Sequence, residues 1–317
     1  MAVSTNLKRT LPALVSLVII VLAGAVLLRA FRDISLADVA ARFASIPAAS
    51  LWLAAAFTTM LLMSLAVYEV AMLRYIRSGL PDIQPFLTAL AAYPIGHAVG
   101  FGALSGGAVR FRIYAAAGLS SFDIGKVVVL SVMPYAAGLG LLCGISFIAD
   151  SAEAARLLPI DAATARAVGW VLIAAHLAYI VLVLGRPGPI RLRWFEVQLP
   201  TPGMTSVQYM LGLVDAVSAI AVLYVLLPED SAIGFLPFAA VYVLAVVAGL
   251  LSSVPAGLGV FESMLLLMLR DIPPDALLGA VLAYRLVYEL VPFVIGAILF
   301  VGWEAWSRRH LFRGAGG

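Results

Sequence analysis

The chain has 317 residues, of which 63% are hydrophobic and 12% are charged, and its formal net charge is +3. Soluble domains carry about 25% charged residues, so this composition and a mean hydropathy of +1.08 exclude an ordinary soluble protein. The small positive charge does not indicate nucleic-acid binding, because the basic residues lie in short segments beside apolar runs, where they orient membrane helices. The single cysteine, Cys143, excludes a disulfide within the chain. We therefore predict a single integral membrane domain over residues 1–317.

Apolar runs long enough to cross a bilayer recur along the chain. A transmembrane helix needs about 17–25 such residues, and the runs that reach this length are Leu11–Leu28, Ser50–Leu73, Lys126–Ile148, Ala167–Leu184, Tyr209–Leu227, Gly234–Leu251 and Leu277–Trp303. Two further runs are ambiguous. Phe86–Leu104 leads into a glycine-rich stretch, and Leu258–Leu269 is short for a crossing.

The basic residues predict the topology, because segments rich in lysine and arginine stay in the cytoplasm. Arg74, Arg110 and the loop Arg186–Arg193 can all be cytoplasmic only if Phe86–Leu104 enters the membrane and returns to the same side. Both termini are cytoplasmic if Leu258–Leu269 completes a short crossing. We therefore predict an all-α polytopic membrane protein with about eight transmembrane helices and with glycine- or proline-broken or re-entrant segments.

The stretch Tyr93–Ser120 has a composition that neither a soluble core nor a lipid-facing helix requires. It contains six glycines, His97, Arg110 and Arg112 among apolar residues. In the bilayer core, irregular backbone survives only where protein or a water-filled cavity covers it. A charged side chain at mid-bilayer costs about 2.5–3.5 kcal/mol on the mildest scale. We therefore predict that this stretch lies inside the protein and forms part of a substrate path.

Arg110 and Arg112 are two residues apart, so on a helix their side chains point about 160° apart. One can then face a cavity while the other reaches lipid phosphates. The alternative is that both are ordinary anchors on the cytoplasmic side. The neighbouring glycines Gly102, Gly106 and Gly107 favour a function, because they would let a lipid headgroup approach the backbone closely. We predict that all five residues bind the headgroup.

A second helix break is predicted in the segment Ser252–Glu262. Pro255 removes a backbone donor, and Gly257 and Gly259 lower helix propensity, so a helix should stop here and restart near Leu258. We predict that the proline and the two glycines form a hinge. Segments interrupted by glycine or proline in both halves of a transporter point to its binding site.

Ionisable residues inside or beside apolar runs are further candidates for headgroup binding. Arg285 and Glu289 are four apart and share a helix face, which indicates either a structural ion pair or an arginine that binds phosphate and is held by its glutamate. Asp215 has no cation within helical reach, so it is a candidate site residue, with an ion pair to another helix as the alternative. Glu262 lies in the first turn after the second break. An acidic residue there can stabilise the helix dipole, and it can equally well bind a ligand. Glu69, by contrast, is predicted to be interfacial.

Several chemistries have no support in the motifs. No phosphate-binding loop is present, and the spacing of Gly100, Gly102 and Gly106 misses the dinucleotide fingerprint. A serine hydrolase at Ser105 is not indicated, because residue 103 is alanine and not the first glycine of a GxSxG elbow. The histidines lack partners at metal-ligand spacing. We therefore predict no catalytic residue, no metal site and no cofactor.

Three segments carry a family resemblance: GFGALSGGAVRFRIYAAAGLS, VPAGLGVFES and AYRLVYELVPF. Together they resemble the transmembrane domain of the bacterial lysylphosphatidylglycerol synthase/flippase family, the multiple peptide resistance factor. The resemblance covers essentially the whole chain. It implies a flippase domain that moves aminoacylated phosphatidylglycerol from the inner to the outer leaflet of the bacterial cytoplasmic membrane, which supports resistance to cationic antimicrobial peptides. Arginines would suit the lipid phosphate, and intramembrane acids would suit the ammonium.

The resemblance also bears on domains and partners. Full-length family members carry a cytoplasmic synthase domain after their membrane helices, and this chain ends at Gly317 without one. We therefore expect either an isolated flippase portion or a stand-alone relative. The expected partners are the aminoacylated phospholipid, membrane lipids and either a synthase domain or a second copy of the chain, and not nucleic acid. Two alternatives remain: an intramembrane lipid-modifying enzyme, which would need a nucleophile and a base, and a membrane module that docks a separate aminoacyl-lipid synthase.

Overall fold

The structure is a computed structural model that describes residues 46–99, 102–158, 160–185, 190–192, 195–197, 199–252 and 255–313. The first predicted span, Leu11–Leu28, and the predicted cytoplasmic amino terminus lie outside these residues. Two three-residue strands, β1 (Ile190–Leu192) and β2 (Phe195–Val197), pair antiparallel between α6 and α7. The described helices, in chain order, are α1 (Ala48–Tyr75), α2 (Ile83–Val99), α3 (Gly102–Ala116), α4 (Ser121–Ala149), α5 (Ser151–Leu157), α6 (Ala162–Gly185), α7 (Pro202–Tyr224), α8 (Phe235–Leu251), α9 (Val260–Met268), α10 (Pro274–Tyr284) and α11 (Val291–Arg313).

Five of the described helical segments are long and apolar enough to cross a membrane, which confirms the prediction of an all-α, multi-pass membrane protein. They are α1, α4, α6, α7 and the continuous segment Pro274–Ser307, which joins α10 to α11 through a π turn. Helix α8 is apolar but has 17 residues. The predicted total of about eight crossings is not confirmed by the part of the chain that the structure describes.

Apolar side chains cover the outer surface of the peripheral helices, as expected of groups that face lipid. On α6, Trp170, Val171 and Leu184 are 57%, 68% and 65% exposed. Soluble proteins rarely expose contiguous apolar patches of more than a few hundred Å². Helix α6 therefore lies at the edge of the bundle, with a long apolar face turned outward.

Helices α2 and α3 fold back on each other as an antiparallel helical hairpin. The Ser105 hydroxyl donates to the carbonyl of Gly96 at 3.3 Å. One residue further along α3, a Cβ atom at Gly106 would lie 2.8 Å from the carbonyl oxygen of Ala92, so only glycine allows this approach. The hairpin predicted around Phe86–Leu104 is therefore present, and its position relative to the two membrane faces stays a prediction.

Helices α8 and α9 form a second hairpin at the second predicted break. A 3-10 turn over Pro255–Gly257 separates them, and a Cβ atom at Gly257 would lie 3.2 Å from the Cα of Gly249. Helix α9 has 9 residues. Its length of about 14 Å is less than half the hydrocarbon thickness of about 30 Å. The short crossing predicted for Leu258–Leu269 is therefore not confirmed, because this segment returns along α8.

Helix α7 is central in the bundle and packs against α1 and α4. At its crossing with α4 the two backbones touch. A Cβ atom at Gly138 would lie 1.9 Å from the Gly212 carbonyl oxygen, and one at Gly212 would lie 2.2 Å from the Pro134 carbonyl oxygen. Small residues at membrane helix interfaces allow such close approach. This crossing sets the distance between the helices that carry Tyr135 and Asp215.

Cysteines placed at Ser121 and Thr201 test the predicted topology. Both positions are exposed, at the starts of α4 and α7, and positive-inside counting places both in the cytoplasm. In a Cys143→Ala background, we expect a membrane-permeant maleimide to label both in intact cells and an impermeant one to label neither. Labelling of Ser121→Cys from outside would contradict the re-entrant arrangement of α2 and α3.

Candidate functional site

A cavity of about 470 Å³ lies between the two helical hairpins. Both hairpins line it, the first through Gly96 and Leu104 and the second through Ala256 and Gly257 at its break. Its aromatic wall residues are Tyr93, Tyr135, Tyr242, Phe261, Tyr284 and Tyr288. Its charged wall residues are Arg110, Asp215, Arg285 and Glu289. The two broken segments thus share one partly polar space, as expected for a binding site between broken helices.

Arg110 is held by a buried ion pair with Glu69 of α1. Its Nε and Nη2 atoms donate to the two carboxylate oxygens at 2.8 Å each, and the Tyr114 hydroxyl donates to Oε1 at 2.8 Å. The side chains of Arg110 and Glu69 are 2% and 0% exposed. The prediction that Glu69 is interfacial is therefore wrong, because α1 and α3 enclose its carboxylate. No spacing rule links residues 41 positions apart on different helices, so the sequence carried no signal for this pair.

Arg112 points to a different neighbour. Its Nη2 atom lies 2.9 Å from Oε2 of Glu304 on α11, and its guanidinium lies 5.0 Å from the centre of the Trp303 ring. It is not among the described residues that line the cavity. The predicted divergence of Arg110 and Arg112 is confirmed, since they meet carboxylates on different helices.

Arg285 begins the π turn Arg285–Leu290 and connects three segments of the second half. It donates to Glu262 at 2.8 and 3.0 Å, to Glu289 at 2.5 Å and to the carbonyl of Ala256 at 2.9 Å. The predicted pairing with Glu289 is confirmed, and Glu262 is a second carboxylate partner. Single π turns occur frequently at functional sites. These bonds use four of the five N–H groups of the guanidinium, which leaves one for a ligand.

The hinge between α8 and α9 contains three residues with positive φ. Ala256 has φ 53°, Gly257 has φ 61° and Gly259 has φ 81°. This conformation costs a residue other than glycine about 1–2 kcal/mol, and the bond from Arg285 to the Ala256 carbonyl holds it in place. Glu262 caps the start of α9 by accepting from the Gly259 amide at 2.8 Å. Glu262 therefore joins the helix cap to the arginine.

Asp215 faces the cavity from α7 and is 2% exposed. Its Oδ2 atom has no hydrogen-bond partner among the residues that the structure describes. The ion pair with another helix, which was the alternative prediction, is absent from the described ion pairs. The buried hydroxyl of Tyr93 on the same wall likewise has no partner among the described residues. Since buried polar groups are normally hydrogen-bonded, these two atoms are available to a partner from outside the described residues, such as water or a ligand.

His97 and a row of tyrosines complete the wall. The His97 ring lies 6.2 Å from the Tyr135 ring and 6.1 Å from the Tyr288 ring, between ring centres. Tyr288 stacks on Tyr284 at 4.8 Å, and the hydroxyls of Tyr284 and Tyr242 are 2.7 Å apart. Aromatic faces attract alkylammonium groups by electrostatics. Together with a buried carboxylate, they provide a suitable environment for an organic cation.

Gly102, Gly106 and Gly107 lie in the first hairpin. Gly102 begins α3. Gly106 packs against the α2 backbone, and a Cβ atom at Gly107 would lie 3.3 Å from the Val128 side chain on α4. Gly106 and Gly107 therefore bring helices together, and neither is among the described residues that line the cavity.

The chain is similar to several known bacterial proteins. It is 30% identical to the uncharacterized protein slr0712 of Synechocystis sp. over 262 residues, which are 81% of each protein. It is 25% identical to the inner membrane protein YbhN of Escherichia coli over 206 residues, 63% of this chain and 64% of YbhN. No protein-family model matches the chain.

A third relative bears on the motif resemblance. The chain is 25% identical to a phosphatidylglycerol lysyltransferase of Staphylococcus aureus over 244 residues, which are 75% of this chain and 27% of that enzyme. This supports the predicted resemblance in its coarser form, a distant relation to part of such a protein. The name of YbhN agrees with a multi-pass membrane protein. The extent of the match to slr0712 shows that the chain belongs to the same family as that protein.

Proposed function

We propose that the protein is a lipid translocase that moves aminoacylated phosphatidylglycerol from the inner to the outer leaflet of the bacterial cytoplasmic membrane. The observation that carries this proposal is the unpartnered carboxylate of Asp215 in a tyrosine-lined cavity between two broken helical hairpins. Ionisable residues inside membrane segments are costly and mark substrate paths. Display of the cationic lipid on the outer leaflet would support resistance to cationic antimicrobial peptides.

The charge of the cavity favours a cationic headgroup. Arg110 pairs with Glu69, Arg285 pairs with two glutamates, and Asp215 adds a fourth carboxylate. Glu289 and Asp215 line the cavity, and Glu69 and Glu262 bind its two arginines from behind the wall, so with all groups ionised four carboxylates stand against two guanidiniums and negative charge is in excess. Phosphatidylglycerol carries a negative phosphate, whereas its lysyl ester adds two ammonium groups and becomes cationic. The electrostatics of the cavity therefore favour the aminoacylated lipid over its precursor.

The size of the cavity suits the headgroup of the lipid and not its acyl chains. A space of about 470 Å³ falls within the usual range of about 300–1,000 Å³ for ligand sites and suits a headgroup. Asp215 would accept hydrogen bonds from the ammonium. The remaining N–H group of Arg285 would donate to a phosphate oxygen, a charge-assisted bond. The acyl chains would stay in the lipid outside the bundle.

Replacing Asp215 by asparagine tests this assignment. The change keeps the shape of the side chain and removes the charge, so we expect the variant to fold normally. Hydrogen bonds to charged groups contribute about 1.5–3 kcal/mol, so movement of lysyl-phosphatidylglycerol should fall by about tenfold or more. The measurement uses purified protein in vesicles of phosphatidylcholine, phosphatidylglycerol and lysyl-phosphatidylglycerol, with an impermeant amine reagent to count the lipid in the outer leaflet.

Two variants serve as controls in the same vesicles. Asp230→Asn makes the same chemical change at an exposed position, and transport should be unaffected. Ser105→Ala addresses the enzyme alternative, and we expect it to retain most transport, because translocation needs no nucleophile. Wild-type transport by Asp215→Asn would leave this acid with a structural role. A module that only docks a synthase would leave the lipid distribution unchanged even with the wild-type protein.

A further inference from the structure

Asp215 differs from the other carboxylates at the cavity, because no guanidinium or ammonium of the described residues pairs with it. It is 2% exposed, and its Oδ2 atom lacks a hydrogen-bond partner within the described part of the chain. Four tyrosines from four different elements line the same cavity: Tyr93 of α2, Tyr135 of α4, Tyr242 of α8 and Tyr288 of the π turn.

The charged and titratable groups on the surrounding elements are engaged elsewhere. On α1 and α3, Glu69 and Arg110 bind each other. Arg285 and Glu289 of the π turn also bind each other. The rest make ring or hydroxyl contacts: His97 with Tyr135 and Tyr288, His176 of α6 with Tyr209 at 2.8 Å, and Tyr284 of α10 with Tyr242. None of the described residues therefore offers a cation to balance an ionised Asp215.

An isolated ionised carboxylate in such surroundings is so costly that the group is neutralised instead. Asp215 has two ways to become neutral: it can bind a proton, or it can pair with a cationic group of the ligand. A protonated carboxyl group cannot form an ion pair. The proton and the ligand's ammonium therefore compete for the same oxygen atoms, and each excludes the other.

We propose that Asp215 is a proton-exchange site, and that each aminoacylated headgroup that binds there displaces one proton. This inference rests on the proposed function and adds the ion to which lipid movement is coupled. In the exchange, the O–H bond of the Asp215 carboxyl group breaks, and its electron pair stays on the carboxylate. The proton passes to water, and the intact ammonium takes its place. If the site opens to the two membrane faces in turn, lipid moving outward is exchanged for a proton moving inward.

The geometry favours a proton over a metal cation as the exchanged ion. Hard metal cations need several oxygen ligands in a shell around them. No group of three or more His, Cys, Asp or Glu side chains among the described residues is arranged to hold a metal ion. The cavity wall that holds Asp215 also holds Tyr93, Tyr135, Tyr242 and Tyr288, and each tyrosine supplies a single hydroxyl oxygen. A proton needs only the carboxylate oxygen itself.

A two-signal vesicle experiment with the wild-type protein tests the exchange. The vesicles contain phosphatidylcholine with lysyl-phosphatidylglycerol, and a pH-sensitive dye is trapped inside. Acidifying the outside should drive lysyl-phosphatidylglycerol into the outer leaflet, measured with an impermeant amine reagent, while the interior acidifies by one proton per lipid moved. Vesicles without protein, and vesicles in which unmodified phosphatidylglycerol replaces the lysyl lipid, should show neither protein-dependent signal.

The two signals separate this inference from the function on which it rests. Lipid movement at the same rate with and without the proton gradient, and without internal acidification, would overturn the exchange and leave the translocase intact. Replacement of the proton signal by uptake of sodium would also overturn it. Absence of lipid movement by the wild-type protein would overturn both. Asp215→Asn cannot release a proton, so any residual lipid movement in it should be independent of the gradient, whereas Asp230→Asn should behave like the wild type.

Discussion

Replacing Glu69 by alanine is expected to destabilise the protein by about 3–5 kcal/mol, because it leaves Arg110 as a lone charge in a fully buried position. The same change removes the acceptor of the Tyr114 hydroxyl. The free energy of unfolding of a folded protein is only about 5–15 kcal/mol in total, so this single substitution removes a large part of it. Arg110→Ala should have a similar effect, since it leaves the buried Glu69 carboxylate without a cation. Thermal unfolding in detergent measures both.

The double variant Glu69→Leu/Arg110→Met decides what the pair does. Replacing both charges by apolar groups of similar volume is often neutral or stabilising, so we expect the melting temperature to return close to that of the wild type. If the pair is only structural, lipid transport should return with it. A folded double variant that moves no lipid would instead support the prediction that Arg110 binds the headgroup. Arg74→Ala breaks an exposed pair with Asp82 and serves as the control, with little change in melting temperature.

Replacing Gly138 by alanine is expected to prevent the close crossing of α4 and α7. The new Cβ atom would lie 1.9 Å from the carbonyl oxygen of Gly212, and a backbone atom cannot move aside as a side chain can. Overpacking costs about 1–3 kcal/mol and occasionally more, and we expect this site at the upper end of that range. Because Tyr135 and Asp215 lie one turn from the contact on the two helices, separation of the helices should also reduce lipid movement in the protein that does fold.

Two glycines on the same helices provide matched controls for this prediction. Gly125 on α4 and Gly203 on α7 have no heavy atom within 4 Å of an added Cβ. Alanine is a better helix former than glycine by about 0.8–1.0 kcal/mol, so Gly125→Ala and Gly203→Ala should be neutral or stabilising. Equal melting temperatures for Gly138→Ala and Gly125→Ala would show that the two backbones are not in contact.

The sequence by itself determined the features that depend on neighbouring residues. Apolar runs such as Ser50–Leu73 predicted the long helices, because a crossing helix is defined by its own length and composition. Pro255, Gly257 and Gly259 predicted the break before α9, because backbone conformation at a hinge depends on the residues that occupy it. The pairing of Arg285 with its glutamate four residues later followed from helical spacing in the same way.

Only the tertiary structure decided which distant side chains meet and which do not. It paired Arg110 with Glu69, joined Glu262 to Arg285 and left Asp215 without a partner among the described residues. It also turned the segment around Leu258 back along α8, where the predicted cytoplasmic carboxy terminus had required a short crossing. Hydrophobicity places a helix in the bilayer but says nothing about its rotation or its neighbours. Those depend on close packing between helices, as at Gly138 and Gly212, whose positions in the sequence are 74 residues apart.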